Sequence, residues 1–232
     1  MPQLSGAVVL VTGANGGLGR HFVEQALARG ASKVYAAARR PQEWHDARVI
    51  PLVLDVTDPA SIRAAVAQAP DVTVLINNAG IAVESDTLLA LPDEEFRNVM
   101  ETNFFGPVAL TKAFAPVLAA SGTSAVLNIH SALSWIALTG AYSASKAALW
   151  SATNSFRVEL APQGTHVTGV HVAYIVIDAV IDVPWARERF KDKPDHFFIK
   201  PAAIAEEAWH LAHQDRSAWS FNVEVRPYAE SW

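Results

Sequence analysis

Residues 8–19 read Val8-Val9-Leu10-Val11-Thr12-Gly13-Ala14-Asn15-Gly16-Gly17-Leu18-Gly19, an apolar run that breaks into a glycine-rich turn. The run has the length and branching of a buried strand. Leu18 to Ala28 then has the length of a helix and stops at Gly30, the usual place for a left-handed cap. A glycine turn between a strand and a helix is the setting in which such a turn cradles the phosphates of a dinucleotide. Gly13 permits the tight turn, Gly17 and Gly19 allow close approach of backbone to diphosphate and of helix to strand, and the helix N-terminus directs N–H groups at the anion. Asn15, Gly16 and Leu18 complete the candidate loop.

Outward from this turn, short apolar runs alternate with helix-like segments. Val34 to Ala38, Val49 to Leu54, Val72 to Ile76, Ala125 to Ile129 and Val167 to Val172 read as further buried strands. Asp58-Pro59 supplies an N-cap and a first-turn proline, Leu91-Pro92-Asp93 opens a long helical region, and another helix runs from about Tyr142 to Leu160, closed by Pro162 and Gly164. Alternating strands and helices predict an α/β fold, a doubly wound parallel sheet of about seven strands with helices on both faces. Residues 217–227 read as a last edge strand and tail. The irregular stretch is 173–200, with Trp185, Phe190, Phe197 and Phe198 among its prolines. Two readings of it stand side by side: a mobile apolar cover over a pocket, or a packed connector or subunit contact.

The 232 residues suit one domain, and 51% hydrophobic with 18% charged residues is the composition of an ordinary globular chain. A net charge of −5 and an interrupted basic stretch from Arg187 to Lys193 argue against a nucleic-acid partner. The absence of cysteine excludes disulfides, thiolate zinc sites and cysteine nucleophiles. Five consecutive apolar residues from Ala7 to Val11 fall far short of a signal core or a membrane span, so the expected location is cytoplasmic, without a membrane partner. Glu206, His210 and His213 share a helix face, for which a solvated surface is the better reading than a metal site. Ser131 lacks the G-x-S-x-G elbow of a serine hydrolase.

Far downstream of the glycine turn, Ala141-Tyr142-Ser143-Ala144-Ser145-Lys146 places a phenol and an ammonium at i and i+4 on a helix. A cation in that position favours the ionised phenol, making a group whose free pKa is about 10 usable as an acid or base. The pair alone is common on helix surfaces; its meaning comes from the company it keeps. The loop resembles the Thr-Gly-x-x-x-Gly-x-Gly pattern of the short-chain dehydrogenase/reductase family. Asn77-Asn78-Ala79-Gly80 matches the family's Asn-Asn-Ala-Gly motif, and Asn103, Ser131, Tyr142 and Lys146 follow in the order of its catalytic set. The likeness covers roughly residues 5–172.

That resemblance implies a hydride transfer between a nicotinamide and a ketone or secondary alcohol. Tyr142 would be the general acid/base, Lys146 would also bind the nicotinamide ribose, Ser131 would hold the substrate oxygen, and Asn103 would position a water for proton relay. Asp55 and Val56 would hold the adenine, with Asn78, Ala79 and Gly80 on the ribose side. Arg39 stands where members preferring NAD carry an acidic residue for the ribose 2′-hydroxyl, which favours NADP(H) over NAD(H) through a 2′-phosphate; Gly16 stands where many NADP-dependent relatives carry a basic residue. The chain departs from the family at Ala173 and Ile177, where a glycine and a nicotinamide-binding threonine are usual. Val83, Leu133, Trp135, Tyr174, Ile175 and Trp185 are the pocket candidates, and they suggest an apolar small-molecule substrate. A homodimer or homotetramer is expected by the same likeness. The rival expectations are a regulator or scaffold that binds cofactor without turnover, and the same enzyme preferring NAD.

Overall fold

The computed structural model describes residues 4–83, 87–135, 140–172, 180–215, 217–218, 220 and 222–225. In chain order the elements are β1 (Val8–Thr12), α1 (Gly17–Ala28), β2 (Lys33–Ala38), β3 (Val49–Val53), α2 (Pro59–Gln68) and β4 (Val74–Asn77). Then follow α3 (Asp93–Met100), a π-helical turn (Glu101–Phe105), α4 (Gly106–Ala120), β5 (Ser124–Ser131), α5 (Gly140–Leu160) and β6 (Thr165–Val172). The remainder comprises β7 (Val180–Ile181), α6 (Pro184–Arg189), β8 (Phe198–Ile199), α7 (Pro201–Ala212) and β9 (Asn222–Val225).

Seven parallel strands form one sheet in the order β3-β2-β1-β4-β5-β6-β9. The chain winds outward from β1 in one direction through β3 and then restarts at β4 on the other side of β1. This switch leaves a crevice beyond the carboxyl ends of β1 and β4, where open α/β sheets bind their ligands. Successive strand residues alternate between two cores. Val9, Val11, Val34, Ile76 and Leu127 meet α1 and α7 on one face, whereas Leu10, Tyr35, Leu75 and Val126 meet α2, α4 and α5 on the other.

Helix starts follow local chemistry. Asp58 accepts hydrogen bonds from Ala60 N and Ser61 N at 2.9 and 3.1 Å, with Pro59 in the first turn of α2. Gly30, at φ +89°, closes α1. Two expectations need correction. Val49–Val53 is not a buried strand: as the sheet edge it leaves Ile50 and Val53 exposed. The stretch 173–200 is not irregular where it is described, since β7 and β8 pair as a small parallel ribbon over the six-residue α6. Val180, Ala186, Phe197 and Phe198 give that lobe its own apolar cluster.

Candidate active site

The crevice is held together by Thr12, the last residue of β1. Its hydroxyl accepts hydrogen bonds from Asn78 N and Ala79 N, both at 2.9 Å, and donates to Ile76 O. Asn78 answers by donating Nδ2–H to Thr12 O at 2.8 Å. The turn between β1 and α1 is therefore laced to the segment after β4. The glycines are needed for this closeness: a Cβ on Gly19 would lie 2.1 Å from Gly13 O, and one on Gly13 would meet Ala79 Cα at 3.1 Å. Gly13 also sits at φ +66°, where a side chain is strained. Around Gly16 a Cβ would meet nothing within 4 Å, so the outer side of the turn is open at the N-terminus of α1.

Asn15 faces the other way. Its Nδ2 donates to Arg40 O at 2.7 Å and its Oδ1 accepts from Gln42 N, which fastens the glycine turn to the turn after β2. Arg39 and Arg40 are exposed beside it. Asp55 caps its own turn by accepting from Thr57 N and Thr57 Oγ1, and those bonds hold its carboxyl below the usual carboxylate range, with Arg39 adding a smaller effect. Val56 packs against the start of α4, where a Cβ on Gly106 would be 3.0 Å from it. An open helix N-terminus, a turn that accepts no Cβ, and exposed guanidinium groups alongside fit a nicotinamide dinucleotide with its diphosphate over Gly13–Gly19.

Asn103 lies in the π-helical turn and is fully buried. Its amide binds both polar groups of one peptide residue, accepting from Ile81 N and donating to Ile81 O, each at 2.8 Å. A second Nδ2–H donates to Ser145 Oγ at 3.1 Å, and Ser145 donates to Tyr142 O at 2.7 Å. Asn103 is thus the pin that joins the loop after β4 to the turn of α5 bearing Tyr142. Gly80 leaves room for this, since its Cβ would come within 3.2 Å of Asn103 Oδ1 and 3.8 Å of Lys146 Nζ.

Lys146 is buried and donates from Nζ to Ile129 O at 2.7 Å. Burial pushes its pKa down to about 8. Nζ lies 5.6 Å from the centroid of the Tyr142 ring, as the i, i+4 spacing requires. Ser131, at the end of β5, accepts from Leu133 N at 3.2 Å and so caps the short turn 132–134, leaving its own proton available to donate.

Tyr142 and Lys146 line a cavity of about 540 Å³ together with Leu18, Asn78, Gly80 and Ile81. Val83 and Trp185 are also in its wall, as expected, whereas Leu133 is buried elsewhere and Trp135 points outward. Tyr174, Ile175, Ala173 and Ile177 lie outside the described residues. His210 is exposed, and the described residues contain no cluster of three metal-ligating side chains.

Beneath the cavity lies a polar network that residue-by-residue reading does not find. Asn77 Nδ2 donates to Asn128 Oδ1 and Thr111 Oγ1, and Asn128 Nδ2 donates to Thr153 Oγ1 at 2.8 Å. Thr153 spends its own proton on Leu149 O, so its oxygen accepts from His130 Nε2 as well, at 3.0 Å. This places the proton of a neutral His130 on Nε2. The i, i+4 back-bond of a threonine in a helix and two asparagines in strands were the available hints.

A parallel sheet with this switch point and glycine turn defines a doubly wound dinucleotide-binding protein. The model of the short chain dehydrogenase family matches residues 7–185, and the chain belongs to the short-chain dehydrogenase/reductase family. It is 36% identical over 193 residues to a dehydrogenase/reductase SDR family protein 7-like of Drosophila melanogaster, a match covering 75% of this chain and 58% of that one. The chain thus spans less than two thirds of that relative. It is 33% identical over 187 residues to the 3-oxoacyl-acyl-carrier-protein reductase FabG of Escherichia coli (strain K12), covering 76% of each. The crystal structure of a short chain dehydrogenase from Burkholderia cenocepacia J2315 in complex with NADP matches with a TM-score of 0.83 at 33% identity, over 97% of this chain and 90% of that one.

Proposed function

We propose that this protein is an NADP(H)-dependent oxidoreductase acting on a ketone or secondary alcohol of a small, largely apolar substrate. The observation that carries the reading is that Tyr142 and Lys146 line the same cavity as Leu18 and Asn78 of the dinucleotide cradle. When bound, the nicotinamide supplies or accepts the hydride. Tyr142 gives a proton to the carbonyl oxygen in reduction and takes the hydroxyl proton in oxidation. Lys146 stabilises the phenolate electrostatically and holds the nicotinamide ribose; Ser131 holds the substrate oxygen with its remaining proton. Asn103 positions the water that carries the proton to solvent and fixes Ile81 in the cavity wall. Preference for NADP(H) is supported by Arg39 and Arg40 beside the glycine turn and by the NADP in the Burkholderia relative.

The segment 173–200 is assigned as the substrate cover within a single domain spanning 1–232. In its described part, Val183 sits 3.8 Å from where a Cβ on Gly17 would be, so the lobe rests on the cradle. Arg187 braces it, pairing with Asp182 and Asp195 at 2.6 and 2.7 Å and lying 3.9 Å over the Phe198 ring. Phe105, Trp150 and Val158 expose apolar surface on the outer helices, which supports a homodimer or homotetramer. The helical run Asp93–Ala120 is long and apolar enough to cross a membrane, but Leu110, Phe114 and Leu118 pack on the sheet, which supports a soluble, cytoplasmic enzyme.

The test is oxidation of NADPH and NADH with a panel of aryl and alkyl ketones by wild type, Tyr142→Phe and Arg39→Ala. The phenol's loss should lower kcat/KM by about 10²–10⁴-fold, and Arg39→Ala should weaken NADPH far more than NADH. NADPH binding without turnover on any substrate would favour a regulator of the same fold; equal losses with both cofactors would remove the assignment of Arg39.

A further inference from the structure

The cavity wall carries two formal charges among the described residues, both positive: Lys146 and Arg189. Lys146 is committed to Ile129 O and the phenol. Arg189 is not committed. Its neighbour Arg187 takes two of the lobe's four carboxylates, Asp182 and Asp195, while Arg189 makes no ion pair with these, with Glu188 or Asp192, or with any other described residue, and only skirts the Phe190 ring at 5.9 Å. Arg189 and Trp185 are one turn apart on α6, so both present to the cavity from the same helix face. Arg189 closes α6 at the end away from Val183, whereas Trp185 lies in its first turn. Val183 rests over Gly17, and six residues of helix carry the backbone about 9 Å further on. An unpaired guanidinium in a wall shared with Ile81, Ala82 and Val83 suits an anionic group carried on an apolar body.

We propose that Arg189 binds a carboxylate on the substrate, so that the compounds turned over are oxo acids and hydroxy acids with an apolar body between the two groups. This rests on the reductase reading above and names its substrate class. The guanidinium fork suits a carboxylate, and the indole of Trp185 covers the apolar stem beside it.

The experiment pairs each oxo acid of four to eight carbons with its own methyl ester, measured with NADPH on wild type and Arg189→Met. In parallel, calorimetry follows binding of the matching hydroxy acids and esters to the Tyr142→Phe protein saturated with NADP+, with and without Arg189→Met. Wild type should favour acid over ester by at least about tenfold in kcat/KM, mostly through KM, and Arg189→Met should collapse that ratio towards one. Ketone turnover with no acid preference, or with a ratio unchanged in Arg189→Met, overturns the carboxylate site and leaves the reductase standing. A higher KM for NADPH with equal losses on acid and ester assigns Arg189 to the cofactor and overturns it too. Arg189-dependent acid binding without turnover sustains the site and overturns the reductase.

Discussion

The two faces of the sheet are built differently. Against α1 and α7 the core is mostly apolar, with His166 a buried polar side chain near the end of α7, and with Trp209 fully buried and set edge-on to Phe22, their centroids 6.2 Å apart. Against α4 and α5 it is apolar only in its lower half, around Leu10, Leu75 and Phe114. At the carboxyl ends of the strands it changes to Asn77, Asn128, His130, Thr111 and Thr153. Apolar packing fixes how close a helix lies, yet it discriminates weakly among small rotations. Directed hydrogen bonds discriminate strongly. The polar layer sits under the helix that must present Tyr142 and Lys146 at one angle, and the mostly apolar layer sits where cohesion is the main requirement.

That contrast can be broken most severely at Trp209. Trp209→Ala should lower unfolding free energy by about 3–5 kcal/mol, seen as a large fall in Tm, while kcat/KM of the remaining folded protein stays close to wild type. An equal loss of kcat/KM at temperatures where the variant is folded would show that the two faces are not separable.

Lys146→Met should act in the opposite sense on stability. Depression of the lysine from 10.5 to about 8 means that the folded protein holds the charge at a cost of roughly 3 kcal/mol at neutral pH. Losing the bond to Ile129 O returns about 1 kcal/mol of that, so the variant should gain about 2 kcal/mol in the absence of cofactor and lose turnover. Because the unfolded state binds the proton more tightly, wild-type stability should rise relative to the variant between pH 8 and pH 10.5. A difference that is flat with pH across that window would sink the assignment.

Thr153→Val removes the acceptor shared by Asn128 and His130. It should cost about 1–3 kcal/mol by chemical denaturation, and it should reduce kcat by more than the unfolded fraction explains. If kcat survives intact, the polar layer serves stability alone. The smallest structural effect is expected at Gly16→Arg, where a side chain meets open space: stability within about 0.5 kcal/mol of wild type, and a higher ratio of kcat/KM for NADPH over NADH.

The sheet, the glycine turn, the Asp58 cap and the Tyr142–Lys146 pair were legible because each is written in a few neighbouring residues. The edge character of β3 was not, since its apolar run says nothing of which strands flank it. Ser145 was hidden in plain view between Tyr142 and Lys146; its link to Asn103 spans 42 residues and exists only once α5 crosses the π-helical turn. Leu133 and Trp135 misled because apolarity near Ser131 does not say which side of the strand end a side chain takes. Arg189 was read only as part of an interrupted basic stretch, and only the fold separates it from Arg187.

The five residues from Glu101 to Phe105 also bear on how the long helical run between β4 and β5 came to face two directions. An α-helix turns about 100° per residue, so one surplus residue slips the phase of everything beyond it. Before the slip, Val99 packs with Leu91 and Ala141 near the mouth of the cavity; after it, Leu110, Phe114 and Leu118 lie flat on the sheet. Deleting Thr102 would restore an unbroken spiral at little local cost and would swing either Asn103 off Ile81 or the whole of α4 off its bed. The turn is a coupling between two helices that cannot otherwise be timed together, and its length is set by that timing.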